Sequence, residues 1–128
     1  MLKKLCGDFL KKSNENYALF EHLQQENIFI EWQAVAIFYS ALCIAKAYLF
    51  SKGININSIN SHDSIKEWLA KESFAKNKKV LYFYNNLYRH SRNARYLTNK
   101  TINKEVIKRM INDYETIKKL LIIDIDKL

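Results

Sequence analysis

The residues best equipped for chemistry lie in one run, Tyr88-Arg89-His90-Ser91-Arg92-Asn93-Ala94-Arg95-Tyr96. Arg89, Arg92 and Tyr96 stand at i, i+3 and i+7, so a helix would place them on one face. A guanidinium fork beside a phenol suits contact with a phosphate or a nucleobase. The same spacing also describes a solvated basic face, or arginines paired with carboxylates inside a bundle. His62 is the other candidate, at the start of a helix after a polar loop. There it could donate to Tyr or Arg groups, or simply cap and orient the loop.

Other chemistries find no support in the spacing. His22, His62 and His90 are far apart, and neither Cys6 nor Cys43 has a second ligand at i+3 or i+4, so no zinc pattern is present. Two isolated glycines, Gly7 and Gly53, cannot make a phosphate-cradling loop. No GxSxG nucleophile motif occurs. No metal or cofactor is expected, and spacing alone nominates no catalytic residue.

The elements that must position these residues are helices. A chain of 128 residues is expected to form one domain, 1–128, with a core of its own. It has no proline and two glycines, whereas a sheet protein needs turn residues at frequent intervals. The central element is Glu31 to Gly53, the most apolar stretch. Trp32, Val35, Tyr39, Leu42 and Leu49 share a stripe, and Ile37, Phe38, Ala41, Ile44, Ala45 and Tyr48 widen it almost to the full circumference. Such a helix is expected to be buried on several sides, with Gly53 as a left-handed stop.

Before it, Leu2, Leu5, Phe9 and Leu10 and then Tyr17, Leu19, Phe20 and Leu23 sit at helical spacing. They make two helices, with Ser13 or Asn14 as a cap, or one with a break. After the polar loop 54–60, Ser61, Asp63 or Ser64 caps a short helix carrying Ile65, Trp68 and Leu69, and Ser64 with Glu67 has capping-box spacing. Residues 71–79 read as a basic, partly helical connection. A long helix is expected over Val80 to Thr98, then a break capped by Thr101 or Asn103. The last helix shows a clean stripe from Val106 through Tyr114 to Leu121.

The net charge is +8, from 21 Lys and Arg against 13 Asp and Glu. This fits a soluble protein from a lysine-rich proteome, or one with an anionic partner such as nucleic acid, a nucleotide or an acidic protein. Two isolated cysteines suit a reducing cytoplasm. Asp8, Lys11 and Lys12 interrupt any secretory leader, and the apolar run Ala34 to Ala45 is short for a bilayer span, so no membrane association is expected.

Trp32-Gln33-Ala34-Val35-Ala36-Ile37-Phe38-Tyr39-Ser40-Ala41-Leu42, Ser61-His62 and Ser91-Arg92-Asn93-Ala94-Arg95-Tyr96 together resemble the HEPN superfamily, the higher eukaryotes and prokaryotes nucleotide-binding domain. The resemblance covers about residues 15–120. In that family a long aromatic, alanine-rich helix ends near a glycine, a Ser-His start opens a short helix, and a later helix carries Arg, a small residue and Tyr. The resemblance implies an all-α, four- to five-helix up-and-down bundle, commonly a homodimer. It also implies RNA- or nucleotide-related work in a toxin–antitoxin or defence setting.

Catalytic members carry an Arg, a short spacer and a His. Here no histidine follows Arg89, Arg92, Arg95 or Arg109 at that spacing; Tyr96 stands roughly where the His would fall, and Cys43 where some relatives have His. Tyrosine, with a pKa near 10, is a poor proton shuttle at neutral pH. The first reading is therefore a non-catalytic domain in which Arg89, Arg92 and Arg95 recognise an anionic group and Tyr39, His62 and Tyr96 shape the pocket. The second is a metal-independent HEPN-type ribonuclease using Arg92 and Tyr96, with His62 supplying the imidazole. The third is an interaction subunit for a nucleotidyltransferase partner.

Overall fold

In the computed structural model, which describes residues 2–55, 57, 61–71, 75–96 and 102–126, the chain forms five helices. They are α1 (Leu2–Gln25), α2 (Ile30–Ser51), α3 (His62–Lys71), α4 (Ala75–Tyr96) and α5 (Lys104–Asp126). This is the all-α up-and-down bundle expected, with no strand among the described residues. Residues 56, 58–60 and 72–74, Thr98 and Thr101, on which some of the loop and cap expectations fell, lie outside the described residues.

Side-chain contacts fix the directions of the helices. Cys6 reaches the Ala47 carbonyl and Ser13 reaches Ser40, so α1 and α2 run antiparallel. Phe38 packs on Tyr88 while Tyr39 meets Arg95, and Trp32 shares a groove with Tyr96, so α4 also opposes α2. Ser40 meets Tyr114, and Gln33 shares a groove with Ile107, so α5 runs parallel to α2. The short α3 lies against α2 and α4 through His62.

α1 is a single helix, which settles the open choice between one element and two. Ser13 is not a cap. It is 1% exposed, and its hydroxyl bonds the Ser40 carbonyl at 2.9 Å. A serine in mid-helix usually competes with the backbone; here a partner on α2 occupies it instead.

Both ends of the α1–α2 hairpin are closed by backbone geometry. Asn27 is left-handed (φ 54), its N–H bonds the Gln24 carbonyl, and the Ile28 N–H bonds the Leu23 carbonyl. Gly53 (φ 83) repeats the pattern: its own N–H goes to Phe50 and that of Ile54 to Leu49. In each case a left-handed residue lets the chain turn back and satisfy the last carbonyls. Gly53 thus ends α2 as expected. Phe29 is a second left-handed residue in the first turn (φ 50). The buried Gln33 amide holds that turn by donating to the Ile28 carbonyl at 3.0 Å.

α2 supplies the centre of the core. Ala34, Ala41, Ala45 and Ala47 are fully buried and let neighbouring backbones approach closely. Its burial is less uniform than the sequence suggests. Trp32 is 61% exposed, and Tyr39, one heptad on, also faces outward. By length and composition α2 could cross a membrane, a longer apolar element than the Ala34–Ala45 run implied, but 78% of its most apolar window is buried in the bundle.

The starts of α3 and α5 use side-chain caps. Ser61, not Asp63 or Ser64, is the cap of α3: the Ser64 N–H donates to its hydroxyl, and the Ser61 N–H donates to the Ser64 hydroxyl. The reciprocal pair is therefore Ser61 with Ser64 rather than Ser64 with Glu67. Asn103 caps α5 through the Val106 N–H at 3.0 Å.

Candidate functional site

The second half of α4 is where the fold brings polar chemistry together. Val80, Tyr84, Leu87 and Ser91 form its buried seam, all 0% exposed, at spacings of three and four. Burying that seam aims Tyr88 and Arg95 along α2 and α3, and leaves Arg89, Arg92 and Tyr96 outward.

His62, at the first position of α3, meets this helix. Its Nδ1 lies 3.0 Å from the Tyr84 hydroxyl, and its ring stacks on Tyr88 with centroids 3.5 Å apart. Phe38 closes a third side, edge-on to His62 at 6.1 Å. Burial lowers the His62 pKa, and the positive charges of Lys66 and Arg95 push the same way against the opposing Asp63. The imidazole is therefore neutral at pH 7. Burial raises the Tyr84 phenol, which stays protonated.

Arg95 occupies the adjacent position. Its Nη1 donates to the Tyr39 hydroxyl at 3.2 Å and its Nε to the Ser91 carbonyl at 3.4 Å. The guanidinium lies 5.7 Å from the Tyr39 ring centroid and 5.1 Å from that of Tyr96. Beside it runs a groove of about 210 Å³ lined by Glu31, Trp32 and Val35 of α2 and Ala94, Arg95 and Tyr96 of α4. Glu31 is the acidic group there, yet no ion pair to Arg95 closes among the described residues. Among the described residues the rest of the fork's N–H donors have no protein partner; the guanidinium lies against the Tyr39 and Tyr96 rings, and the groove beside it exposes Trp32 (61%) and Tyr96 (68%).

The six expected ligand residues thus divide. Tyr39, Arg95 and Tyr96 come together. His62 sits one layer away, joined to them through Phe38, which contacts both His62 and Tyr39. Arg92 is exposed on the outer face and joins neither group. Arg89 lines a different groove, between α4 and α5, with His90, Arg109 and Asp113. The shared face of Arg89, Arg92 and Tyr96 is real as helix geometry, but it does not gather into one cleft: Arg89 and Tyr96 border separate grooves. The trio Arg92, Tyr96 and His62 makes no mutual contact.

Sequence reasoning did not place Trp32 or Glu31 in the site, because Trp32 reads as core. Tyr84 is likewise not singled out from the sequence, while Tyr88 opens the chemistry-bearing run. Their i, i+4 spacing was the available signal, since two phenols one turn apart offer one histidine both a hydroxyl and a ring. A further groove of about 430 Å³, at Gln24, Ile30, Gln33, Lys104, Ile107 and Lys108, holds none of the expected site residues. Among the described residues no group of three His, Cys, Asp or Glu side chains could hold a metal.

No curated protein and no solved structure matched the chain. A match to the HEPN domain family does extend over residues 7–124, wider than the 15–120 that the resemblance covered. With the five-helix bundle, the buried alanine-rich α2 and the His62-led α3 in place, this chain belongs to the HEPN domain family.

Proposed function

We propose that this HEPN domain is a non-catalytic binding module that takes RNA or a nucleotide at the Arg95 groove. The observation that carries the reading is the state of Arg95. Its guanidinium is fixed by Tyr39 and the Ser91 carbonyl, carries no ion pair among the described residues, and lies between exposed aromatic rings. A fork held this way presents charge-assisted donors to a phosphate, while Trp32 and Tyr96 offer flat faces to a base. The setting is a cytoplasmic toxin–antitoxin or defence system, and a homodimer would bring two such grooves together.

Catalysis has less support. The family's Arg-spacer-His pattern is missing, and the one imidazole near the groove has Nδ1 engaged by Tyr84 and a face covered by Tyr88. Proton transfer during RNA cleavage needs a group free to reach the substrate. A protein partner, such as a nucleotidyltransferase, is the second reading. It is favoured by Ile28, Phe29 and Trp32, which are 41%, 63% and 61% exposed beside the same end of α2.

The test is fluorescence anisotropy of the full chain with a short single-stranded RNA and with a labelled nucleotide, at low and high salt. Binding that weakens with salt and falls at least tenfold in Arg95→Ala supports the reading. Binding unchanged by Arg95→Ala, or absent at low salt where phosphate contacts are strongest, overturns it.

A further inference from the structure

A third groove opens where the α1–α2 turn meets the start of α5, around a cavity of about 430 Å³. Ile30, Ile107 and Ile111 make its floor apolar, with Ile107 buried and the other two half-buried. The charged groups on it are both positive: Lys104 and Lys108, exposed and without an ion pair among the described residues. On α5, positions 104 and 108 form one row and 107 and 111 the next, each pair one turn apart, while Glu105 falls outside both. The start of α5 therefore presents an ammonium row beside an apolar row.

The facing wall supplies hydrogen-bonding groups with nothing in the protein to bond. Gln33 is 4% exposed, and its amide nitrogen donates to the Leu23 and Ile28 carbonyls at 3.4 and 3.0 Å. Its Oε1 accepts no hydrogen bond among the described residues and is not sealed from solvent, so it opens on the groove that Gln33 lines. A nearly buried carbonyl oxygen with one open side calls for a donor. The exposed side-chain amides of Gln24 and Asn27 also bond nothing among the described residues, and each can both donate and accept.

We propose that this groove docks an extended segment of a partner protein in which acidic residues alternate with aliphatic ones. Two unpaired ammonium groups and no carboxylate on the groove select an acidic occupant, and the isoleucine floor selects an apolar face on it. A helical segment has its own N–H groups engaged, whereas an extended one brings free main-chain donors to Gln33 and both donors and acceptors to Gln24 and Asn27. The spacing of the two rows also matches an extended chain. Residues one turn apart on α5 are separated by about 6 Å along its axis, and every second residue of a strand by about 6.6 Å. Successive acidic residues thus meet Lys104 and Lys108 while the aliphatic residues between them rest on Ile107 and Ile111. The lysine stems are long enough to pass round the segment to its acidic edge. RNA fits less well, because the floor is aliphatic and offers no ring to a base. The assignment is independent of the Arg95 reading, because the two grooves share no residue.

The experiment is an NMR titration of the isotope-labelled full chain at low salt with the blocked peptide acetyl-Glu-Leu-Glu-Leu-Glu-Leu-amide. Comparison peptides carry serine for each leucine, or lysine for each glutamate. The variants are Lys104→Glu/Lys108→Glu and Lys11→Glu/Lys119→Glu, the second making the same change of charge at exposed lysines outside the groove. Circular dichroism checks the helicity of both. The peptide should shift the Gln33 side-chain amide and the Ile107 and Ile111 methyls. It should bind at least tenfold more weakly to Lys104→Glu/Lys108→Glu, and within twofold of wild type to Lys11→Glu/Lys119→Glu. Both comparison peptides should bind wild type at least tenfold more weakly. No binding up to millimolar peptide, or equal weakening in the two variants, overturns the proposal. So does a serine peptide that binds as tightly, since charge attraction alone would then account for the contact. Displacement of the peptide by a single-stranded RNA that itself loses affinity in Lys104→Glu/Lys108→Glu also overturns it, by making these lysines a nucleic-acid contact.

Discussion

The His62 Nδ1 and the Tyr84 hydroxyl lie 3.0 Å apart, joining the first residue of α3 to the buried seam of α4. With the ring stacked on Tyr88, this contact joins the buried Ile65 and Leu69 in seating α3 on the bundle. Because burial lowers the pKa of His62, folding favours the neutral imidazole. The stability this contributes is complete above the ordinary His value of about 6.5 and is lost as pH falls through the lowered folded-state value. His90 acts in the same direction. Asp113, pushed up by burial, acts in the opposite one, its contribution being lost as pH rises through its folded value. Urea melts of wild type and His62→Phe between pH 4 and 8 separate these effects, since the variant keeps a stacking ring and leaves His90 and Asp113 unchanged. The variant should lose less stability on acidification. Parallel pH profiles would remove His62 from the acid sensitivity.

A second prediction concerns the polar knot inside the core. Ser40 Oγ lies 2.8 Å from both the Ser13 carbonyl oxygen and the Tyr114 hydroxyl, while Tyr114 stacks on Tyr17 at 4.6 Å. One serine therefore ties α1, α2 and α5 together. Ser40→Ala takes a hydrogen-bond partner from the buried Tyr114 hydroxyl and from the Ser13 carbonyl, which costs about 1–3 kcal/mol. Tyr114→Phe removes a single hydroxyl and keeps the stack, so it should cost less, about 1 kcal/mol. Denaturant midpoints rank the two, and the reverse order would mean the knot is held by Tyr114 rather than Ser40.

Ser91 gives the opposite result from the same physics. It is 0% exposed, and its Oγ is a buried side-chain polar atom with no hydrogen-bond partner among the described residues. An unsatisfied buried hydroxyl is unfavourable, and alanine is the better helix former. Ser91→Ala should leave stability unchanged or raise it by about 1 kcal/mol. A thermal midpoint that drops by several degrees would show that the hydroxyl has a partner in solution.

How much of this was legible in the sequence depends on what each residue type constrains. Gly53 was readable because a left-handed cap favours glycine, and it adopts φ 83 as expected. Asn27 and Phe29 do the same work in the α1–α2 turn but carry no equally strong signal, so that turn was not read in detail. Ser13 read as a helix cap because serine favours caps, and only the facing Ser40 explains its place in mid-helix. Trp32 reads as core because hydrophobicity does not reveal which side of an apolar helix lacks a neighbour. The site residues were found as types rather than as a set. Arg89, Arg92 and Arg95 are equivalent in sequence; packing of the Tyr84–Leu87–Ser91 seam sends Arg95 toward Tyr39 and Arg89 toward Asp113.

The last prediction separates charge from shape at Arg95. Lysine keeps the positive charge but lacks the planar fork that reaches Tyr39 and the Ser91 carbonyl while leaving donors for a ligand. Under the binding reading, Arg95→Lys should keep most of the salt dependence of RNA or nucleotide binding, because that slope counts charges neutralised. It should still lose affinity by about 1.5–3 kcal/mol, tenfold or more in Kd, because charge-assisted bonds made by the fork are gone. Tyr39→Phe removes only the hydroxyl that orients Nη1, so its effect should be smaller and equally independent of salt. Anisotropy titrations at several salt concentrations measure both quantities for each variant. Full affinity in Arg95→Lys would mean that the groove supplies only a point charge, and the aromatic rings beside it would then have no part in recognition through that fork.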